Sequence, residues 1–467
     1  MQQLDRRQFL AAGLAAGASL AAPSANAMRQ PAELDGVAWD VIVVGAGVSG
    51  LSAARQLADA GKNVLVLEAR DRIGGRMWTD RRAMPIPIER GCELIHGGPH
   101  VSTWQYVESQ GLQTHMFTRY FRKVNAADNW QSRDVIGHFH FPRGLPAGLR
   151  LPLPAPAANQ SAADYLGRLG LPPENWPINV HRLAIDSGPL YNQPAAAVLA
   201  TLEKCVRISL DPSLFTPVPL PDPDDPARND GDYKVIGGYD QILRPIATGL
   251  DVRLSSPVTR IEHRASGVEV LAAGRTFRAK RCILALPAGV LRAGSVTFSP
   301  PLPESRQRML ASYRYLPVFK SLLEFDHPVL SFDGRPTDQS AIYTLDPKSM
   351  WNASLGTAGY PGEIWVNWST GDAAKRLWDL PEQQRFDASL QQVRAAAGDA
   401  GLNYRSAVIH DWKSDPFALG AYGYEDVPGM TDPVGESLYF AGMQTHSVHT
   451  SHDSGRACAR EVLQSLR

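Results

Sequence analysis

The sequence predicts an α/β protein, α+β overall, whose two chain ends build one discontinuous domain while the middle supplies a second. Three observations carry this. Trp39 to Val44 is an apolar run interrupted only by Asp40, the pattern of a parallel strand buried on both faces. Glycines at 45, 47 and 50 follow at once and lead into helical periodicity from Leu51 to Ala60. At the far end, Ser437 to Ala441 is another apolar strand, which passes through a glycine into a helix filling the C-terminus.

The first unit closes quickly. Gly61 stops the helix, and Asn63 to Leu67 is a second apolar strand ending on Glu68, which completes a βαβ unit of the Rossmann type. Its glycines sit where a dinucleotide site needs them. Gly45 permits the tight turn, Gly47 lets backbone approach a pyrophosphate, and Gly50 allows close helix–strand packing. The helix start at Val48, Ser49 and Gly50 offers free N–H groups and a positive dipole end to phosphate. Glu68, eighteen residues after Gly50, is placed to accept both ribose hydroxyls. The next stretch, Glu68-Ala69-Arg70-Asp71-Arg72-Ile73-Gly74-Gly75-Arg76, sets a diglycine between arginines. That second loop suits the doubly charged pyrophosphate of a long dinucleotide.

Between the two ends the pattern changes. Proline-dense stretches at 142–158 and 211–226 flank a mostly helical segment. Val252 to Leu286 is strand-rich with a turn at Ala273-Gly274, 317–325 and 363–368 read as strands, and 381–397 reads as a polar helix. The expected division gives 38–120, 231–316 and 409–467 to the dinucleotide domain. It gives 121–230 and 317–408 to an inserted substrate domain of mixed sheet plus helices.

Lys plus Arg and Asp plus Glu both number 47, so the formal charge is zero and nothing points to nucleic acid or an anionic membrane as partner. The four cysteines, at 92, 205, 282 and 458, form no CxxC pair, which argues against zinc ribbons and dithiol redox chemistry. Their disulfide pairing stays open. Arg6-Arg7 precedes a weakly apolar, alanine-rich stretch ending Ala25-Asn26-Ala27, the pattern of a twin-arginine export signal over residues 1–27. The expectation is therefore a periplasmic or secreted protein with no membrane span once the signal is removed. Its loss leaves 45 basic against 46 acidic residues.

Beyond the two loops, further motifs stand in order along the chain. They are Gly91-Cys92-Glu93-Leu94-Ile95-His96-Gly97, Val258 to Ile261, Ile283 to Pro287, Lys320, Trp412 with Asp415-Pro416-Phe417, Gly420-Ala421-Tyr422, and Phe440-Ala441-Gly442. On these the chain resembles the flavin monoamine oxidase family, which includes polyamine oxidases, L-amino-acid oxidases and histone lysine demethylases. The resemblance implies FAD as cofactor. Gly91 and Trp412 fall on cofactor-site positions, Val258 would meet the adenine through its backbone, and Gly442 and Met443 would lie by the ribityl chain. The helix starting near Thr450 would aim its N-terminus at the flavin pyrimidine ring, where reduction builds negative charge.

Three residues are the catalytic candidates. Lys320 matches a lysine that holds a water near flavin N5; pairing with Glu324 or snorkelling to an edge is the alternative for a lysine in so apolar a strand. Tyr422 matches one aromatic wall beside the flavin, or else is a packed strand tyrosine. His96 matches a histidine near the substrate amine in some polyamine oxidases, or else is tucked against backbone carbonyls. The departures from the family pattern also matter. Ala421 stands where monoamine oxidases carry the cysteine that attaches FAD, so FAD is expected to be non-covalent. Met443 replaces a glutamate, and the segment Thr445 to Gly455 is about five residues shorter than in monoamine oxidases. The second aromatic wall is thereby missing or supplied from elsewhere, and His446, His449 and His452 stand there instead, read as hydrogen-bonding groups rather than metal ligands.

The implied reaction is hydride transfer from an amine carbon to flavin N5, giving an imine that water hydrolyses. Oxygen or a periplasmic electron carrier then takes the electrons. The rivals are amino-acid oxidation, desaturation of a non-amine on the same scaffold, and a flavoprotein without catalysis. Against the first, Cys92 to Gly97 holds no arginine for a carboxylate.

Overall fold

The computed structural model describes residues 38–117, 139–177, 179–180, 183, 190, 193–215, 224–226, 229, 231–332, 335–336, 341–344, 348–423 and 427–467. The export signal read over residues 1–27 lies outside them. The glycine-rich start is a strand–helix–strand unit, β1 (Ala38–Val44), α1 (Val48–Asp59) and β2 (Val64–Leu67). Beyond it come a short hairpin, β3 (Thr79–Asp80) with β4 (Ile88–Glu89), then β5 (Leu94–His96), β6 (Thr114–Phe117) and β7 (Asp232–Val235). The strand-rich region holds β8 (Asp251–Arg253), β9 (Val258–Arg264), β10 (Gly267–Ala272), β11 (Arg275–Leu284) and β12 (Thr297–Ser299).

Eight strands form the main sheet, in the order β12-β9-β10-β11-β1-β2-β8, with the last strand, β18 (Leu438–Phe440), paired to β11. β1 runs parallel to β2 and β11, while β10 is antiparallel to both β9 and β11. The strand centres are apolar because both faces are covered: Val41, Val43 and Val66 pack with one cluster, Ile42, Leu65 and Leu284 with the other. On the first face α1 meets the C-terminal helix α5 (Val448–Ser465). They approach closely at Gly455, where a Cβ would stand 2.1 Å from the Ser49 carbonyl.

A second sheet of five strands orders β14-β15-β16-β13-β17. These are β13 (Val318–Phe325), β14 (Ala341–Thr344), β15 (Lys348–Asn352), β16 (Glu363–Thr370) and β17 (Ser406–Ile409). The helix α4 (Glu382–Ala397) covers it, burying Phe386, Leu390 and Val393 against Leu323, Phe325 and Trp365. Each fully buried side chain of this size stabilises the fold by roughly 1.5–3 kcal/mol. A separate helical core surrounds α2 (Ala162–Arg168) and α3 (Ala196–Leu210), between the proline-dense stretches. The small sheet β5-β7-β6 stands apart from both large sheets. All four cysteines are free. Among the described residues no helix is long and apolar enough to cross a membrane.

Candidate active site

The two glycine loops meet over the end of β1. Gly45 takes φ +103°, and a Cβ there would stand 2.6 Å from the Ala285 carbonyl; one at Gly50 would stand 2.0 Å from the Gly45 carbonyl. These two positions therefore require glycine for packing. Gly47 differs, because a Cβ there meets nothing within 4 Å. It is the N-cap of α1, and no side chain caps that helix, so its first amides face open space.

Glu68 is buried at the end of β2 and ties both loops together. Its Oε2 accepts from the Ala46 amide at 2.7 Å and its Oε1 from the Arg70 amide at 2.8 Å, with Ala69 between. Gly74 donates its amide to the Ala46 carbonyl, which sets Gly75 beside Gly47. The Arg70 guanidinium forks onto Asp415 at 2.7 and 3.0 Å. Burial alone would raise the Asp415 carboxyl, but bonds from His410 and Arg70 outweigh it and hold it well below the usual range. Arg76 donates to the Ala421 carbonyl at 2.8 Å.

The other cofactor-site positions divide. Gly91 leaves no room for a side chain: a Cβ would stand 1.8 Å from the Arg76 carbonyl and 3.2 Å from the Trp412 ring. Trp412 donates its indole N–H to the Arg90 carbonyl. Val258 turns its side chain into the core, which leaves its main chain for any ligand. Gly442 presses on Ser49, and its amide donates to Ser454 Oγ at 2.9 Å. Met443 is 2% exposed and packs with Met430 and Phe440. α5 starts at Val448, and Ser447 and Thr450 close a capping box, so the Thr450 amide and hydroxyl are already engaged.

Lys320 does not pair with Glu324, whose carboxylate accepts instead from Ser406. Its ammonium meets the Glu89 carbonyl at 2.7 Å, Glu93 Oε2 at 2.9 Å and the Gly91 carbonyl at 3.1 Å. An ammonium has three N–H groups, and all three are matched. A water held by Lys320 therefore requires one of these bonds to open. Nearby, burial pushes the Glu89 carboxyl up to about 7, against the bonds it accepts from the Tyr239 amide and Thr79 hydroxyl.

The strand after Gly91 alternates: Glu93 and Ile95 are buried, whereas Cys92 and His96 are exposed. Cys92 is accessible, while the protein packed around it pushes its thiol up. His96 bonds Asp232 Oδ1 through Nδ1 at 2.6 Å. Tyr422 is half-buried in a two-residue strand paired with Tyr315–Leu316. The three C-terminal histidines go separate ways. His446 bonds the Gly423 carbonyl, His449 bonds Ser447 Oγ, and His452 is fully buried against Tyr106 and Ser102. Burial lowers both His449 and His452. Among the described residues no cluster of histidine, cysteine or acidic side chains is placed to hold a metal ion.

The donor set suits FAD: an uncapped helix start, a ribose-side carboxylate, a second glycine loop, and the arginine that follows it. The profile for flavin containing amine oxidoreductases matches residues 48–463. The chain belongs to that family. It is an FAD-dependent amine oxidase. Polyamine oxidase 4 of Oryza sativa subsp. japonica is 27% identical, over 91% of this chain and 89% of its own. The human lysine-specific histone demethylase 2 is 23% identical over 87% of this chain and 50% of its own. In fold the chain is similar to putrescine oxidase bound to putrescine, with a TM-score of 0.66 at 22% identity over 92% of this chain and 99% of that one. Cyclohexylamine oxidase from Brevibacterium oxydans IH-35A gives 0.66 at 22% identity, over 92% and 100%.

Sequence reasoning missed the partners of this amine oxidase's site residues. Glu93 was visible only as part of a motif, and Asp232 and Glu89 carried no local signal. A carboxylate inside an apolar stretch, as at Ile88-Glu89, is the one clue that was available for Glu89.

Proposed function

We propose that this enzyme oxidises a diamine or polyamine lacking an α-carboxylate, using non-covalent FAD, outside the cytoplasm. The observation that carries the substrate reading is how the arginines are used. Arg70 is spent on Asp415, Arg90 on Asp80, and Arg76 on the Ala421 carbonyl. His96, by contrast, is accessible and backed by a carboxylate. Such a lining suits an ammonium better than a substrate carboxylate. The relatives named for polyamine and putrescine support the same class.

Bound FAD supplies the acceptor for the hydride. The chain's own work is to orient the amine, keep it unprotonated and exclude bulk water. Tyr422 offers one wall; Ala421, a methyl where a thiolate would be needed, supports a cofactor held without a covalent bond. The twin-arginine pattern supports export of the folded holoprotein, with oxygen or a periplasmic carrier as electron acceptor.

Anaerobic stopped-flow reduction with matched pairs tests the substrate class. Putrescine should bleach the flavin faster than ornithine, its α-carboxylated analogue. Faster bleaching by the amino acid would overturn the assignment.

A further inference from the structure

We propose that Trp351 and Trp368 form the surface that holds the carbon chain of the substrate amine, and that this pair sets the chain length the site prefers. The inference rests on the amine-oxidase reading of the site and deepens it.

The register of the second sheet puts both rings on one face with Lys320. Trp368 on β16 lies directly opposite Lys320 on β13. Trp351 on β15 lies opposite Val366, which lies opposite Leu322. The two indole centroids are 6.0 Å apart and the rings are tilted by 48°. α4 seals the other face, over Leu323, Phe325 and Trp365. On the near face Met84, Ile86 and Ile88 pack with Leu322, Ile364 and Val366; Trp351 sits at the edge of that cluster and Trp368 stands outside it. Both tryptophans are left half-buried, so part of each large apolar ring remains open to a ligand.

This face adjoins the cofactor loops. The Lys320 ammonium bonds the Gly91 carbonyl, and Gly91 lies against Arg76 and Trp412. Just beyond Trp368, the Gly371 amide donates to the carbonyl of Pro317, whose neighbour Leu316 pairs with Tyr422. The strand that carries Trp368 therefore borders both Lys320 and the backbone that places Tyr422.

The charges on this face decide which part of the substrate the rings meet. The Lys320 ammonium stands 5.6 Å from the Trp351 ring centroid, so a cation already lies over that ring. The Lys234 ammonium bonds the Ala353 carbonyl, two residues further along. A second ammonium beside these two would be repelled. Methylene groups are not, and each one taken out of water against an indole strengthens binding roughly fourfold. The Trp351 indole N–H is buried and has no acceptor among the described residues, so what that side chain offers a ligand is its ring.

The test uses the FAD-loaded enzyme, a series of α,ω-diamines lengthened from putrescine one methylene at a time, and the variants Trp368→Ala and Trp351→Ala. In the wild type, kcat/KM should rise roughly three- to fourfold per added methylene until the rings are covered. Each alanine variant should cut that gain to below about twofold, with the loss carried by KM rather than kcat. A packing defect would instead lower every member of the series by the same factor. Trp368→Phe and Trp351→Phe keep an aromatic face and should preserve most of the gain. Independently, calorimetry with analogues methylated twice at each amine carbon, which carry no hydrogen to transfer, should show the same dependence of Kd on length. A wild type indifferent to length, or alanine variants with the wild-type gain or a length-independent loss, would overturn the wall while leaving the oxidase reading intact. Failure of every amine to bleach the wild-type flavin would instead sink the oxidase reading, and the wall with it.

Discussion

Lys320 and Glu93 form an ion pair at 2.9 Å with side chains only 7% and 4% exposed. Such a pair is held by mutual compensation, and removing one member typically costs 3–5 kcal/mol, roughly, because a buried charge is left alone. The second Glu93 oxygen already lacks a hydrogen-bond partner, so the loss cannot be taken up there. Lys320→Met should therefore destabilise the holoprotein by about that amount in urea titrations. It should also slow flavin reduction and reoxidation by at least roughly tenfold. Adding Glu93→Leu should recover much of the stability but not the rates. A single variant as stable and as fast as wild type would return Lys320 to an ordinary packed side chain.

Glu68 holds the Ala46 and Arg70 amides, one through each carboxylate oxygen. Glu68→Gln keeps one oxygen acceptor and turns an NH2 against the other amide. FAD binding should weaken by roughly 1–3 kcal/mol, the cost of unpairing a buried group. Equilibrium dialysis of the apoprotein with FAD reads this directly, and undiminished affinity would mean that the carboxylate is dispensable to both loops.

The Glu89 carboxyl gives stability a pH signature. Burial raises it from 4.5 to about 7, so the folded chain takes up a proton that the unfolded chain does not. Its contribution is fully present below pH 4.5 and is lost as pH rises through about 7. Asp415, held below its ordinary value, acts with the opposite sign and only in more acidic solution. Melting temperature should fall between pH 5 and pH 8, and Glu89→Gln should flatten that fall, since its amide oxygen still accepts from Thr79 and Tyr239. An equal slope in the variant would assign the effect to other groups.

The sequence made β1, α1, β2 and Glu68 legible because their signals are local: apolar runs, a glycine spacing, and a carboxylate at a strand end. The strands within 251–284 and those at 318–325 and 363–370 were legible for the same reason, whereas those at 341–344 and 348–352 were not. What it hid are pairings across the chain. Glu93 and Lys320 are 227 residues apart and His96 and Asp232 are 136 apart, so no periodicity links them. Which way Met443 turns was hidden for a different reason. A position matched by motif says nothing of which way the side chain turns, and an unbranched apolar group here turns into the core.

On the proposal that residues 1–27 are a twin-arginine signal, export depends on Arg6 and Arg7. Replacing both by lysine should leave the precursor in the cytoplasm, folded and yellow, because the remainder of the chain is untouched. Cell fractionation with flavin fluorescence decides it, and normal periplasmic delivery would point to another export route.

The Tyr422 backbone is held from both sides. Leu316 pairs with it across the short ladder, Gly420 packs on the Tyr315 ring, and Gly423 sits against the Tyr313 hydroxyl. Truncating the side chain therefore leaves the backbone fixed and removes the ring expected to stand beside the flavin. Without that wall the amine carbon is free to drift from its line of attack, and a misplacement of about 1 Å costs on the order of 100-fold. Tyr422→Ala should slow anaerobic flavin reduction by roughly 10- to 100-fold while reoxidation stays within about twofold of wild type. Tyr422→Phe, which keeps the ring, should stay close to wild type in both. In every case reduction should accelerate as pH rises, because low-dielectric surroundings favour the free amine over the ammonium. Equal slowing of both half-reactions in Tyr422→Ala would show that the ring supports the cofactor rather than the substrate.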